Sequence, residues 1–281
     1  MPRDYQVIDY MNYPTTPDFT KNWVAAQKGE LKCRMEASLG ELTGVKVDDF
    51  VKYMDMCGVE KVFITQTKMF SSYNHWMYMD TKLSDCLEYT QKYPKRFVGL
   101  AGYNPYRISE SLKEIETAVK EHGFKGVYVH IYGFDFPLTD RRMYPLYAKC
   151  AELDVTVSMQ VGYVLEGMSS EGGRPIYLER IALDFPTLRL IGSHTGYPWC
   201  EELVAICYKF DNIFLGLDAH MPKYWDPTVV KFAQSRGQNK VIWGTNGLPF
   251  DKMLEQIDAL GFKEDVKRKL LSDNAIKAFK L

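Results

Sequence analysis

The chain repeats one alternation eight times: a short apolar, β-branched run, then an amphipathic stretch at helical spacing. The apolar runs are Gln6–Tyr10, Lys61–Thr65, Phe97–Ala101, Gly126–His130, Thr156–Gln160, Arg189–Ser193, Ile213–Leu217 and Val241–Gly244. The helical patterns are Val47–Met56, Lys82–Tyr93, Ser109–Glu121, Tyr144–Leu153, Pro175–Phe185, Trp199–Tyr208, Pro227–Ser235 and Asp251–Leu260. Parallel strands covered on both faces read as continuous apolar runs. Eight βα units are the number that closes a parallel sheet, so the alternation predicts an α/β fold, a TIM (β/α)8 barrel. A length of 281 residues with 46% hydrophobic content suits one such barrel, and a single domain over 1–281 is expected.

The formal charge of −1 comes from interspersed acidic and basic residues, so no basic face invites nucleic acid. No apolar run approaches the ~18 residues of a membrane span, and Met1-Pro2-Arg3-Asp4 lacks a signal-peptide core, so a cytoplasmic protein is expected. Cys33, Cys57, Cys86, Cys150, Cys200 and Cys207 form no C-x-x-C pair and read as reduced, packed thiols. No phosphate-cradling G-x-x-x-x-G-K, no G-x-G-x-x-G and no G-x-S-x-G elbow occurs, which sets aside nucleotide binding and serine hydrolysis by those routes. Ser193 beside His194 is expected to face the helices, since neighbouring strand residues point to opposite sides.

Sites in this fold are built from the C-terminal ends of the strands and the loops that follow. Three irregular stretches would open there: a long loop from Met11 to Gly44, then Tyr132–Arg142 and Tyr163–Arg174. The polar strand-end positions are Asp9, Tyr10, Asn12, Tyr13, Gln66, Thr67, Lys68, Tyr103, Asn104, His130, Gln160, Tyr163, His194, Asp218, His220 and Asn246. Each also has a plain structural use, because strand ends are where buried side chains satisfy backbone groups.

Four segments carry a family resemblance. Val7-Ile8-Asp9-Tyr10-Met11-Asn12-Tyr13-Pro14 stands where amidohydrolase-type barrels have Asp-x-His-x-His. Ser193-His194-Thr195-Gly196-Tyr197-Pro198-Trp199, Gly244-Thr245-Asn246-Gly247-Leu248-Pro249-Phe250 and Asn274-Ala275-Ile276-Lys277-Ala278-Phe279 resemble "SHxGYPW", "FGTDxPF" and "NAxRLF" of the amidohydrolase-related family (amidohydrolase 2). That family includes aminocarboxymuconate-semialdehyde and γ-resorcylate decarboxylases. The resemblance implies metal ligands at four places, which align here with Met11, Tyr13, Gln160 and Asn246. Thioether, phenol and amide are poor zinc ligands, so a divergent, metal-independent member without cofactor is expected.

The resemblance gives His194 a role in substrate binding or proton transfer, and an imidazole can act as acid or base near neutrality. In the reading that follows, His194 moves the proton and Asp218 or Asp9 orients it. Gln160 and Asn246 bond a developing oxyanion, and Lys68 or Arg174 holds a substrate carboxylate. Tyr10, Tyr13, His130, Tyr163 and His220 complete the wall around a small carboxylated or phenolic substrate. Without a metal hydroxide, hydrolysis loses its nucleophile while decarboxylation does not, so a carbon–carbon lyase is favoured. A hydrolase of an activated ester or lactone and a non-catalytic small-molecule binder are the alternatives, and a homo-oligomer is compatible with each.

Overall fold

The computed structural model describes residues 3–26 and 43–281. In chain order its strands are β1 (Ile8–Asn12), β2 (Lys61–Thr65), β3 (Lys68–Ser71), β4 (Trp76–Asp80), β5 (Phe97–Gly102), β6 (Gly126–Val129), β7 (Thr156–Gln160), β8 (Leu190–Ser193), β9 (Ile213–Leu217) and β10 (Val241–Trp243). Eight of them pair in parallel in the order β1-β2-β5-β6-β7-β8-β9-β10. No ladder joins β10 to β1. Instead the Asn246 N–H donates to the Met11 carbonyl (2.8 Å) and the Thr245 N–H to the Asp9 carboxylate (2.8 Å), which nearly closes the barrel.

Helices follow the strands as the periodicity predicts: α2 (Val47–Cys57), α3 (Leu83–Lys92), α4 (Ile108–Lys120), α5 (Tyr144–Glu152), α6 (Tyr177–Asp184), α7 (Cys200–Lys209), α8 (Pro227–Gln234) and α9 (Phe250–Ala259). Local chemistry sets their ends. Asp226 starts α8 by accepting from the Thr228 N–H (2.8 Å), with Pro227 in the first turn where its missing N–H costs nothing. α2 stops at Gly58, whose φ of 69° suits a residue without Cβ.

Three elements lie outside the expected alternation. The stretch Met11–Gly44 is not simply a loop, since it contains α1 (Pro17–Ala26); residues 27–42, with Cys33, lie outside the described residues. β3 and β4 form an antiparallel hairpin beside the barrel. After α10 (Glu264–Arg268), α11 (Asn274–Phe279) packs into the end of the barrel remote from the loops.

The barrel interior and its plug form one cluster. Ile8, Tyr10, Phe63, Leu100, Tyr128, Ile191, Phe214 and Ile242 point inward and meet Ala275, Ala278 and Phe279 of α11. Phe279 lies 4.5 Å from the Phe63 ring and 6.3 Å from Tyr10, and Asn274 donates to the carbonyls of Gln238 (2.8 Å) and Val241 (2.7 Å). A larger cluster seals the strand–helix layer. The five described cysteines are free thiols, as expected. Among the described residues no helix is long and apolar enough to cross a membrane.

Phe279→Ala is expected to lower stability by about 3–5 kcal/mol, the cost of emptying a packed aromatic site. Urea unfolding measures it. A loss below about 1 kcal/mol would show that α11 is not part of the core.

Candidate active site

β1 enters the barrel with Tyr10 inward and fully buried. Its ring lies across β9 and β10, where a Cβ on Gly216 would come within 1.9 Å of the Tyr10 hydroxyl and one on Gly244 within 2.9 Å of its ring. The hydroxyl therefore reaches Asp218, at the end of β9, and donates to Oδ1 at 2.5 Å. That proton is committed to the carboxylate. Ser193 Oγ (2.9 Å) must then donate to Tyr10, and Ser158 Oγ (2.8 Å) can donate to Ser193. Ser193, expected on the helix side, thus faces inward; Ile191 already points in, and alternation carries Ser193 with it.

His194 follows Ser193 with φ of 67°, a left-handed conformation that a β-strand would not supply. The turn aims two donors at Asp218. The His194 N–H bonds Oδ1 (2.8 Å) and the ring Nδ1 bonds Oδ2 (2.6 Å). Burial alone would raise the Asp218 carboxyl. The His194 charge, both His194 hydrogen bonds and the Tyr10 hydroxyl outweigh it and hold the group below its usual range. Ionised Asp218 accepts only, so Nδ1 carries the proton and Nε2 is left for chemistry, without a hydrogen-bond partner among the described residues.

Two tyrosine–amide pairs stand near this couple. Tyr13 donates to Asn246 Oδ1 (2.5 Å) and Tyr128 to Gln160 Oε1 (3.1 Å), which leaves both amide NH2 groups as donors. His130 and His220 lie within charge reach of His194. Burial first, and then that neighbour, lower both imidazoles, His130 to about 3. Glu166, on the loop after β7, is raised by burial and lowered in part by His194. Glu166 was not among the expected site residues and carries no signal beyond its place in the irregular Tyr163–Arg174 stretch.

Several expected groups are committed elsewhere. Asp9 is fully buried and accepts from the Met11 N–H (3.1 Å), Asn12 Nδ2 (3.0 Å), the Thr245 N–H (2.8 Å) and Thr245 Oγ1 (2.6 Å). It is a clamp on the β1–β10 seam, and burial raises its carboxyl to about 6 despite those bonds. Tyr10 lies beneath the site, supporting Asp218. Lys68 pairs with Asp80 (2.8 Å) and the Thr81 carbonyl (2.9 Å) on the hairpin, and Arg174 pairs with Glu202. Both cations are thus paired within the protein, although Arg174 Nε has no hydrogen-bond partner among the described residues. Tyr163 is exposed, its N–H bonded to the Tyr197 carbonyl.

Over the mouth, Tyr13, Phe19, Trp23 and Met168 pack on Met69, Trp76, Tyr78 and Met79 of the hairpin. The whole defines a (β/α)8-type barrel with a hydrogen-bonded histidine–carboxylate pair at the C-terminal strand ends.

Comparison with known proteins adds the lineage. The model of the Amidohydro_2 family, described as amidohydrolase, matches residues 59–281, and the chain belongs to that family. A 2-keto-4-carboxy-3-hexenedioate hydratase from a Sphingobium species is 26% identical over 213 residues, 61% of each chain. The match thus spans about three-fifths of that relative. An uncharacterised TIM-barrel protein from Bordetella bronchiseptica superposes with a TM-score of 0.75 at 20% identity, covering 98% of both chains. A 5-carboxyvanillate decarboxylase from Novosphingobium aromaticivorans, complexed with manganese and 4-hydroxy-3-methoxy-5-nitrobenzoic acid, gives 0.75 at 16% identity, covering 99% of this chain and 97% of its own. At these identities the likeness to the solved structures is one of fold.

The manganese in that neighbour raises the question of fit. The four aligned positions offer Met11, sealed in the interior cluster, and Tyr13, Gln160 and Asn246, whose polar atoms are engaged in pairs. None brings a charge. Among the described residues no group of three or more His, Cys, Asp or Glu side chains could hold an ion. The donor set does not fit a divalent metal.

His130 generates a pH dependence with a definite sign. Its imidazole titrates near 6.5 when unfolded and at about 3 when folded, so the unfolded chain binds the extra proton. The stability is fully present above about pH 6.5 and is lost as pH falls towards 3, with a limiting slope of about 1.4 kcal/mol per unit. Asp9 acts oppositely between about 6 and 3.9. The His130 contribution is therefore the difference in unfolding free energy between wild type and His130→Gln across this range. Parallel curves would refute it.

Proposed function

We propose that this chain is a metal-independent lyase that releases carbon dioxide from a small planar acid by proton transfer through His194. The observation that carries the reading is the Asp218–His194 bond, which fixes Nδ1 as donor and leaves Nε2 to exchange a proton with substrate. Asp218, held ionised, stabilises the imidazolium that must form.

The step balances with these groups. The bond between the carboxylate and its carbon breaks, its electron pair stays on that carbon, and carbon dioxide leaves. The pair delocalises onto a conjugated oxygen, which the free NH2 groups of Asn246 and Gln160 are oriented to receive. The Nε2 proton of the imidazolium then goes to the carbon, and solvent restores it. Aromatic and thioether side chains over the mouth keep water from the intermediate.

A second reading is favoured by the hydratase match. Neutral His194 would take a proton from water as the water oxygen bonds one carbon of a conjugated double bond and the electron pair passes towards the conjugated oxygen, and the imidazolium would then give that proton to the other carbon. The two separate by product: loss of conjugation without carbon dioxide identifies the hydratase.

Two outcomes are expected. His194→Asn keeps much of the side-chain volume but cannot titrate, so kcat for carbon dioxide release from a panel of hydroxylated aromatic and unsaturated oxo acids should fall by roughly 10²–10⁴-fold. A normal kcat with an unchanged pH profile would remove His194 from the mechanism. Protein purified without added metal should carry below about a tenth of an equivalent of zinc or manganese, and chelator should leave kcat and Tm unchanged. Stoichiometric metal would overturn metal independence.

A further inference from the structure

We infer that Tyr10 is a positioning residue: its hydroxyl shares the Asp218 carboxylate with His194 and so limits how tightly that carboxylate holds the proton of the imidazole ring. Packing does not call for a hydroxyl there. Tyr10 belongs to the interior layer that also holds Phe63, Phe214 and Phe279, and its ring stacks on Phe279 at 6.3 Å. A phenylalanine at position 10 would fill the same space. The hydroxyl instead adds a polar atom to a sealed interior, and Ser193 and Ser158, both fully buried, extend it by two more.

The direction of this hydroxyl chain is forced. A phenol has one proton, and Tyr10 gives it to Asp218 Oδ1 (2.5 Å). Ser193 must therefore donate to Tyr10 (2.9 Å), which leaves Ser158 to donate to Ser193 (2.8 Å). Three hydroxyl dipoles point the same way, towards one carboxylate oxygen, and each strengthens the next.

Such a chain opposes protonation of the imidazole. Oδ1 also accepts the His194 N–H (2.8 Å), while Oδ2 accepts the ring Nδ1–H (2.6 Å). With the ring neutral, the carboxylate carries its whole charge and the Tyr10 bond is strongest. With the ring protonated, the imidazolium offsets part of that charge and the Tyr10 bond weakens. Other ionisable groups lie within charge reach of the couple: His130 at the end of β6, Glu166 on the loop after β7, His220 after β9, and Tyr13 and Tyr128. Asp9 reaches Tyr10 from its own strand. Among the described residues only Asp218 is hydrogen-bonded to both Tyr10 and His194, so it is the path between them.

Protein labelled with ¹⁵N at its five histidines reads the effect without substrate. In Tyr10→Phe, checked for fold by Tm, the midpoint of the His194 ring titration should move up by about half to one pH unit relative to wild type, roughly a threefold to tenfold gain in proton affinity. Ser193→Ala should move it the same way by less, and Ser158→Ala by least, since each is one hydroxyl further from the carboxylate. Loss of packing alone gives no such order. The inference is overturned if the midpoint stays or falls in folded Tyr10→Phe, or if either serine variant moves it further than Tyr10→Phe does. Should Tyr10→Phe not fold, Ser193→Ala decides by the same sign.

The consequence for rate rests on the lyase reading. A ring that holds its proton more tightly gives it to carbon more slowly, so Tyr10→Phe should lower kcat for carbon dioxide release by about two- to tenfold. KM should stay within about twofold, because Tyr10 is buried beneath the site. A raised midpoint with no carbon dioxide release from any acid keeps Tyr10 in its role and defeats the lyase reading; release with an unmoved midpoint does the reverse.

Discussion

The structure depends on one buried negative charge. Asp218 is sealed from solvent inside an aromatic barrel, where an ion without partners would cost many kcal/mol. Three donors offset that cost: the Tyr10 hydroxyl, the His194 N–H and the His194 ring. Each donor has a requirement of its own. Tyr10 needs glycine at 216 and 244 to lie across the barrel, and His194 needs the left-handed turn that ends β8. Ser193 and Ser158 extend the network, so strands β1, β7, β8 and β9 are tied together by the group that also fixes the imidazole tautomer. Fold and proton transfer share a single electrostatic constraint.

The second constraint is neutrality elsewhere in the site. Where the family resemblance implies ligands for an ion, phenol–amide pairs stand in hydrogen-bond contact, and Met11 packs as core. A phenol donating to an amide oxygen turns the amide NH2 outward and fixes its dipole. Fixed dipoles in a low-dielectric site stabilise a developing negative charge without reorganising, which is the electrostatic service a Lewis acid would otherwise give. On the proposed function, such a site would favour reactions that generate a delocalised anion over those that need a metal-bound nucleophile.

Much of this was legible in the residues. Every one of the eight strand and eight helix runs corresponds to an observed element, because apolar continuity and helical spacing are set by burial that the barrel imposes on each unit alike. The His194 segment and the amide substitutions could be read because they sit in fixed registers at strand ends. The partners of the charged residues were less legible. Asp9 was expected to orient the His194 proton and Lys68 or Arg174 to hold a substrate carboxylate, and in this structure each is held by a partner far apart in sequence or in an unanticipated element. Asp9 is claimed by Thr245, Lys68 by Asp80 on the hairpin, and Arg174 by Glu202. The hairpin does carry a signal, a short continuous apolar run from Trp76 to Met79 beyond a polar turn, but a reading tuned to eight parallel runs passes over it. Glu166 had no signal, since its place depends on how a loop without periodicity folds back over the mouth.

The division between strand-borne and loop-borne groups has a mechanistic consequence. His194, Asp218, Gln160 and Asn246 stand on or next to strand ends whose backbone is fixed by the barrel ladder, so the groups to which the proposed function gives the proton and the developing charge are held rigidly. Tyr13, Trp23 and Met168 come instead from three separate segments and meet in side-chain packing over the mouth. Packing between loops opens at lower free energy than a buried ladder, because fewer backbone hydrogen bonds and less buried area resist it. On the proposed function, substrate entry would need only the mouth cluster to part, while the Asp218 network stays closed beneath it. Tyr13 belongs to both parts, packing in the mouth cluster and donating to Asn246, so opening the mouth also loosens the orientation of one oxyanion donor. Charge stabilisation is then complete only when the mouth is shut and water is excluded.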